Sequence, residues 1–422
     1  MNEGISKTGK RNRETDVVIV GGGIAGLMVA MLLGRKGIGV TLVERNKELI
    51  AHHRGEILQP NGLKILERKG LLPDVRKHGY EAKVFHFLKM DGSFLSDIRY
   101  DLLPPPYDYA LIASPYHLQA LLLEKALETG KVEILWETEF NDLLRESGSA
   151  AGIRATRRGE LTEITSRMVV GGDGGRSAVR RALGIRASVY QYRDGYFTAR
   201  LERPAGAFTG DARYYVGNRK ILALFPVSTD ALYLLYLVPG RSPEPFRQGA
   251  LEDWKKELLS IDPVIEGPLS KISSWEQVHY MPCYRIRTST WVANGAALLG
   301  DAAHSFNPHV AQGRNQAMED AVALAETLIA CRGKNDFSRE ALLPYEEKRR
   351  KTAMIYEKLG DELTLFWNAG IEPLVTIRNR VFRQLNRKPL LMQKMLTTVS
   401  GVKIDLFTFL DRFRALGLWP GP

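Results

Sequence analysis

Three loops hold the residue types that could do chemistry, and they lie far apart in the chain. The first is Gly21-Gly22-Gly23-Ile24-Ala25-Gly26, the second Gly172-Asp173-Gly174, and the third Gly300-Asp301-Ala302-Ala303-His304. In the first, Gly21 permits a tight turn, Gly23 lets backbone amides approach a pyrophosphate, and Gly26 lets the next helix lie close to a strand. A helix opening at Ile24 and Ala25 presents unbonded N–H groups and partial positive charge to that phosphate. Glu44 lies 21 residues beyond Gly23, where it can accept from ribose hydroxyls. This much fits NAD or FAD equally. A ligand reached both from residue 21 and from residue 301 must be long, and FAD is such a molecule, with adenine and ribose at one end and an isoalloxazine ring at the other.

The elements that must position these loops can be read around each of them. Asp16–Val20 is a β-branched run bounded by glycine, the pattern of a buried parallel strand. Leu27, Ala30, Met31 and Leu33 continue as a helix to Gly37, and a second strand from Gly39 to Val43 ends at Glu44. Arg167–Gly172 predicts the strand before the second loop, with a helix from Ala178 to Leu183 after it. Leu298-Leu299 leads into the third loop, followed by Pro308, Gln312-Gly313-Arg314-Asn315 and a helix expected over Gln316 to Ala330. Amides at the start of that helix would stabilise negative charge on a reduced flavin. Arg314 either adds a full positive charge there or turns to solvent.

With these loops in this order, the chain resembles the class A flavoprotein monooxygenases, the group that includes p-hydroxybenzoate hydroxylase. The resemblance covers most of the chain. It extends to Pro344-Tyr345-Glu346 with Arg349-Arg350, and to Arg378-Asn379, Pro389, Met395 and Gly401, which are similar to the quinone-hydroxylase branch. It implies an α/β fold: a Rossmann-like FAD-binding domain (parallel sheet plus β-meander), an inserted mixed β-sheet substrate domain and a helical C-terminal region. The expected ranges are a disordered tail over 1–14, the FAD domain over 15–79, 109–189 and 283–338, the substrate domain over 80–108 and 190–282, and the helical region over 339–422. Carried over from the family, the cofactor residues are Gly21, Gly23, Ile24, Ala25, Gly26, Glu44, Arg45, Arg54, Asp173, Gly174, Gly300, Asp301, Gln312, Gly313, Arg314 and Asn315. The chain departs from the family at Pro115-Tyr116-His117, where an Arg often opens a helix near the flavin, and at Ala311, where a Gly is frequent.

The implied cycle is reduction of FAD by NAD(P)H as a transient co-substrate, addition of O2 at flavin C4a as a hydroperoxide, and transfer of one oxygen to an electron-rich substrate. No metal enters it. His304 and Pro308 would lie closest to the ring, His304 either as a hydrogen-bonded helix-start residue or as a base. Tyr215, Tyr214 and His279 are the other candidate bases for a phenol-type substrate. No second dinucleotide fingerprint is visible, and Arg180 and Arg181 either hold NAD(P)H phosphates or lie on an exposed helix face. The strand carrying Leu222, Leu224 and Pro226 is expected to face the cavity. It is apolar and offers no clamp for a carboxylate, which implies a hydrophobic aromatic or quinone-like small molecule.

The 422 residues, 44% apolar and 25% charged, suit two closely joined domains and a C-terminal addition. The net charge of +11 comes without a nucleic-acid motif, so no nucleic-acid partner is expected. Cys283 and Cys331 are the only cysteines, which excludes a disulfide framework and fits a cytoplasmic setting. No apolar stretch is long enough for a bilayer span or a secretory signal. Ile404, Leu406, Phe407, Phe409, Leu410, Phe413, Leu416, Leu418 and Trp419 interleave with Lys403, Arg412 and Arg414. That run either docks over the cavity, joins two copies as a homodimer, or makes a peripheral membrane contact. The alternative function is an FAD-dependent reductase of isoprenoid double bonds, resembling geranylgeranyl reductases. A halogenase would carry a Trp-x-Trp pair, which is missing.

Overall fold

The computed structural model describes residues 4–5, 11–50, 56–209 and 211–419. In chain order the elements used below are β1 (Arg11–Val20), α1 (Ile24–Gly34), β2 (Val40–Val43), β3 (Ile57–Leu58), β4 (Val84–Lys89), β5 (Phe94–Arg99), β6 (Ala110–Ala113), α2 (Pro115–Leu127) and β7 (Val132–Leu135). Next come β8 (Thr138–Glu146), β9 (Ser149–Arg157), β10 (Glu160–Gly171), α3 (Ala178–Ala182), β11 (Ala187–Glu202), β12 (Asp211–Val216), β13 (Ile221–Pro226) and β14 (Ala231–Pro239). The remainder is α4 (Leu251–Ile261), β15 (His279–Thr288), β16 (Ala296–Leu298), α5 (Gly313–Lys334), α6 (Arg339–Trp367), α7 (Glu372–Arg387), α8 (Pro389–Val399) and α9 (Phe409–Ala415).

The first sheet has a parallel centre, β16-β10-β1-β2-β7. Both of its faces are covered, which is why β1 and β2 read as unbroken Val/Ile/Leu runs. The antiparallel strands β8 and β9 extend from the first half of β10 and make the expected meander. Helix α1 is apolar on every side and buried on nearly every side, packed between β1 and the helices α2 and α5. The tail expected over 1–14 is shorter than that. Residues 11–14 belong to β1 because β10 runs outward beside them, pairing Thr162↔Arg11 through Thr165↔Glu14, and Gly4–Ile5 pairs back onto Asn12 and Arg11. Ladder hydrogen bonds hold the backbone of that polar stretch.

The second sheet runs β15-β11-β14-β13-β12-β4-β5, antiparallel except for the parallel β12–β4 pair. One face meets α6 and α7 through Phe87, Tyr196, Ala223, Phe225, Trp367 and Phe382. The other meets α4 through Phe197, Tyr215, Leu222, Leu224, Trp254 and Leu258. Thus β13 is apolar on both sides, and Leu222 and Leu224 turn away from the face expected of them. A strand buried on both faces shows no in/out alternation, so its parity cannot be read from the sequence.

Candidate functional site

Strands β1, β10 and β16 are parallel neighbours, with Val20↔Gly171 and Gly171↔Leu298 in register. Their C-terminal ends therefore deliver all three loops to one edge of the sheet. A Cβ on Gly21, whose φ is +106°, would stand 2.5 Å from the Gly172 carbonyl oxygen. One on Gly26 would stand 2.2 Å from the Gly21 carbonyl oxygen. The closeness of these backbones, not ligand contact alone, demands glycine there. Gly300 approaches Ala25, with its virtual Cβ 3.7 Å from the Ala25 methyl. Arg180 ties the second loop to the third: its guanidinium donates to the carbonyl oxygens of Gly175 and Ala302, each at 2.8 Å. Arg180 is buried and so is not on an exposed helix face, while Arg181 is exposed and donates to the Arg176 carbonyl.

Around this junction several backbone positions face open space. A Cβ built on Gly23, Gly174 or Gly313 meets nothing within 4 Å. Gly23 and Gln312 precede α1 and α5, and neither helix start has a side-chain cap. Their unbonded amides and helix dipoles therefore face outward, as an anionic ligand requires. Glu44 accepts from the Gly22 amide at 2.8 Å and from the Asn46 amide at 3.0 Å, which holds its carboxylate beside the glycine turn. Gln119 of α2 donates to the Gly22 carbonyl at 3.0 Å, a support the sequence did not disclose. Arg45, Asp301 and Pro308 are exposed, and Arg54 lies outside the described residues. The carboxylate of Asp173 accepts from the Ala178 and Val179 amides at 2.6 and 3.1 Å, which fixes it against the start of α3. Glu56 Oε2 and Arg314 Nε are buried beside the start of α5 without hydrogen-bond partners. Open amides at two helix starts, three unfilled glycine positions and these orphan atoms fit a long anionic dinucleotide.

Below the third loop lies a buried polar network. His304 Nε2 is 2.8 Å from Asp320 Oδ2, and the imidazole is stacked on Trp291 with ring centroids 4.7 Å apart. Asp320 also accepts from the Gly300 amide at 3.2 Å and from Arg349 Nε at 2.8 Å. His304 is thus buried and hydrogen-bonded through Nε2. Tyr345 donates to the Leu298 carbonyl at 2.9 Å, and Glu346 accepts from the Trp291 amide at 2.9 Å. The Tyr-Glu and Arg-Arg pattern on α6 therefore braces β16 and the loop that follows it.

Gln312, Arg314 and Asn315 are all tied into the protein around the start of α5. Gln312 and Asn315 are fully buried. Gln312 donates to the Val399 carbonyl at 2.8 Å, and Asn315 accepts from the Gln59 amide at 3.1 Å. Arg314 turns inward rather than to solvent and donates to the carbonyl oxygens of Ala113 and Glu56 at 3.2 and 2.8 Å. Arg314 and Asn315 meet the backbone around β3 and β6, and Gln312 meets Asn61 and Val399, while a Cβ on Gly313 would meet nothing within 4 Å. Just before them Ala311 has φ +50°, a left-handed conformation that favours glycine. Ala311→Gly is expected to stabilise the fold by up to about 1 kcal/mol, the relieved backbone strain being partly offset by unfolded-chain entropy. A lowered thermal midpoint would contradict this.

Tyr215 is not at this site. It lies on the α4 side of the second sheet, and its hydroxyl donates to Asp262 Oδ2 at 2.6 Å. The neighbouring Tyr214 faces the other way and stacks on Phe87 at 4.8 Å, and His279 is exposed. The residue sequence reasoning missed is His309, next to Pro308. Its Nε2 lies 3.1 Å from Tyr196 Oη and 2.9 Å from Asn368 Oδ1, and burial pushes its imidazole down to about 4. The third loop therefore abuts the aromatic face of the second sheet.

The FAD binding domain family matches residues 14–358. The 6-methylpretetramide 4-monooxygenase of Streptomyces rimosus is 31% identical over 80% of this chain and 80% of its own. Squalene epoxidase 2 of Arabidopsis thaliana is 26% identical over 96% of this chain and 70% of its own. The crystal structure of PqsL from Pseudomonas aeruginosa in complex with 2-aminobenzoylacetate superposes with a TM-score of 0.74 at 26% identity, covering 84% of this chain and 97% of that one. The p-nitrophenol 4-monooxygenase PnpA of Pseudomonas putida DLL-E4 shares the fold, with a TM-score of 0.78 over 93% of this chain and 100% of that one. Relatives named as monooxygenases and hydroxylases favour the oxygenase over the isoprenoid reductase. The chain belongs to the FAD-binding family of group A aromatic hydroxylases and is a flavoprotein monooxygenase.

Proposed function

We propose that this monooxygenase uses NAD(P)H and O2 to hydroxylate a largely hydrophobic aromatic or quinone-like small molecule. The observation that carries this reading is the meeting of the third loop, at Pro308 and His309, with an inner sheet face built of Tyr196, Tyr214, Phe225 and Phe87, against which Trp367 of α6 packs. Such a wall removes apolar area from water at roughly 25 cal/mol per Å² and stacks on flat rings. Residues 15–79, 109–189 and 283–338 form the FAD-binding domain in this reading, with 80–108 and 190–282 as the substrate domain. Gly21, Gly23, Ile24, Ala25 and Gly26 hold the pyrophosphate on the start of α1. Glu44 takes the ribose hydroxyls, with Arg45 beside it. Gly174, Gly300 and Asp301 line the path of the ribityl chain. The Gly313 amide at the start of α5 receives the negative end of the ring. Bound FAD supplies the redox centre at which NAD(P)H is oxidised and dioxygen activated. Pro308 and the aromatic wall position the substrate and exclude water.

The test is a stopped-flow screen for compounds that accelerate flavin bleaching by NADPH, followed by oxygen uptake with the hits. Apolar aromatics are expected to accelerate it most. Good turnover of small carboxylated phenols with poor turnover of apolar rings would overturn the substrate class.

We also propose that the C-terminal segment makes peripheral contact with an anionic lipid surface and that the protein works in the cytoplasm. Among the described residues no helix is long and apolar enough to cross a membrane. Phe409, Leu418 and Trp419 are 78%, 57% and 53% exposed, with Leu406 and Leu410 beside them and exposed Lys403, Arg383 and Arg387 nearby. Docking of the whole run over the cavity does not account for these side chains. Co-sedimentation with anionic but not neutral vesicles is expected, and Phe409→Ser with Trp419→Ser should abolish it. Concentration-dependent self-association without vesicle binding would assign the surface to a second copy instead.

A further inference from the structure

Glu56 carries a buried carboxyl that has no part in the chemistry described above. It stands at the entrance to β3, 7% exposed, and among the described residues its Oε2 has no hydrogen-bond partner. Its backbone is fixed on two sides: its carbonyl oxygen accepts from Arg314 Nη2 and from the Ala113 amide, each at 2.8 Å. The guanidinium thus spends itself on main-chain oxygens and leaves the carboxyl uncompensated by any direct hydrogen bond. Among the described residues, the charges that face Glu56 are Arg314 from α5 and Arg200 from β11. β6 contributes an amide only, and His117 of α2 faces the same Arg200. Gln59, Asn61 and Asn315, packed around β3, are neutral and hydrogen-bonded to other partners. Natural chains rarely leave a carboxyl oxygen buried and unpaired, because desolvation is costly unless the group is neutral or has a ligand-linked role.

We propose that Glu56 is the proton-exchanging group of the cofactor site, taking up a proton when negative charge arrives at the start of α5 and releasing it when that charge leaves. This rests on the assignment of FAD to the three-loop site. Two electrons and one proton pass from NAD(P)H to the bound cofactor, leaving NAD(P)⁺. A second proton comes from solvent and converts the Glu56 carboxylate to the neutral acid, so local charge stays balanced beside Arg314. The direction follows from electrostatics: new negative charge nearby favours the protonated carboxyl. Burial already holds the group at about 7, against Arg314 and Arg200, which lower it, so little extra charge moves it.

The test is the midpoint potential of the FAD holoenzyme against pH, measured by equilibration with a reference dye, for wild type, Glu56→Gln and Glu56→Asp. No substrate is required. Around neutral pH the wild-type potential is expected to fall with pH up to twice as steeply as that of Glu56→Gln, one extra proton accompanying two electrons. Glu56→Asp should keep the steep limb but shift it along the pH axis. Equal slopes in wild type and Glu56→Gln overturn the proposal while leaving the FAD site intact. Should Glu56→Gln not fold, a limb left unmoved in Glu56→Asp overturns it equally. A wild-type protein that binds no FAD refutes the cofactor assignment instead. Unfolding of the apoprotein gives a second readout. The folded-state value lies above the ordinary 4.5, so protons favour folding between 4.5 and about 7. Glu56→Gln should therefore gain stability relative to wild type as pH rises through that window.

Discussion

Gly23→Ala is expected to give a folded, colourless protein, and Gly21→Ala a damaged fold. The two glycines belong to one loop but answer to different constraints. At Gly23 a methyl meets nothing within 4 Å in the polypeptide, so stability should change little. The methyl stands where a pyrophosphate must approach the amides at the start of α1. Overpacking of about 1–3 kcal/mol would weaken FAD roughly 10- to 100-fold. At Gly21 φ is +106° and the methyl would stand 2.5 Å from the Gly172 carbonyl oxygen, a backbone atom that cannot step aside. Left-handed strain adds about 1–2 kcal/mol to the same overpacking, a large share of a net stability of about 5–15 kcal/mol. Flavin absorbance after gel filtration with excess FAD, together with thermal unfolding, separates the two. Undiminished FAD binding by Gly23→Ala would remove the first loop from the cofactor site.

That contrast also explains which parts of this molecule could be read in advance. Gly21 and Gly26 are compelled by backbone contacts, and such contacts recur wherever three parallel strands deliver loops to one edge. The Val/Ile runs of β1 and β10 announce burial on both faces directly. Parity on β13 was not legible, because Ile221 through Pro226 meet apolar neighbours on either side. For the same reason Tyr214 and Tyr215 could not be told apart from spacing alone.

The site was harder to read than the fold because polar side chains near a ligand look alike whether they serve the ligand or the scaffold. Asp173, Gln312 and Asn315 sit at loop or helix starts, where a cofactor contact and a cap to protein backbone demand the same chemistry. All three hydrogen-bond within the protein, which spacing alone did not disclose. Arg180 was obscured by its setting in a short basic helix; only the fold brings the Ala302 carbonyl within reach of its guanidinium. His309 and Tyr196 come from segments whose meeting is set by the packing of the second sheet against the third loop. Glu56 could have been noticed: an acid immediately before an apolar strand pair, Ile57–Leu58, calls for a compensating partner. Its hydrogen-bond vacancy exists only in three dimensions.

The largest expected effect on stability comes from the network beneath the third loop. Asp320 is fully buried and accepts from Arg349, His304 and the Gly300 amide at once. Burial alone would raise its carboxyl, but His304 and Arg349 outweigh burial and hold it below the usual range. Asp320→Asn keeps the shape and deletes the charge, leaving Arg349 buried with Glu319 and Gln316 as partners. Breaking one side of a buried pair costs about 3–5 kcal/mol, so the variant should unfold at much lower urea concentration at neutral pH. Because the folded value lies below the unfolded one, wild type enjoys this stabilisation above the unfolded value and loses it as pH falls through the folded one. The gap between wild type and Asp320→Asn should therefore narrow in acid. The same variant should bind FAD more weakly, since the Gly300 amide loses its anchor just before Asp301. A urea midpoint unchanged at neutral pH would mean that His304 and Arg349 are held by the surrounding packing, and that the third loop stands without them.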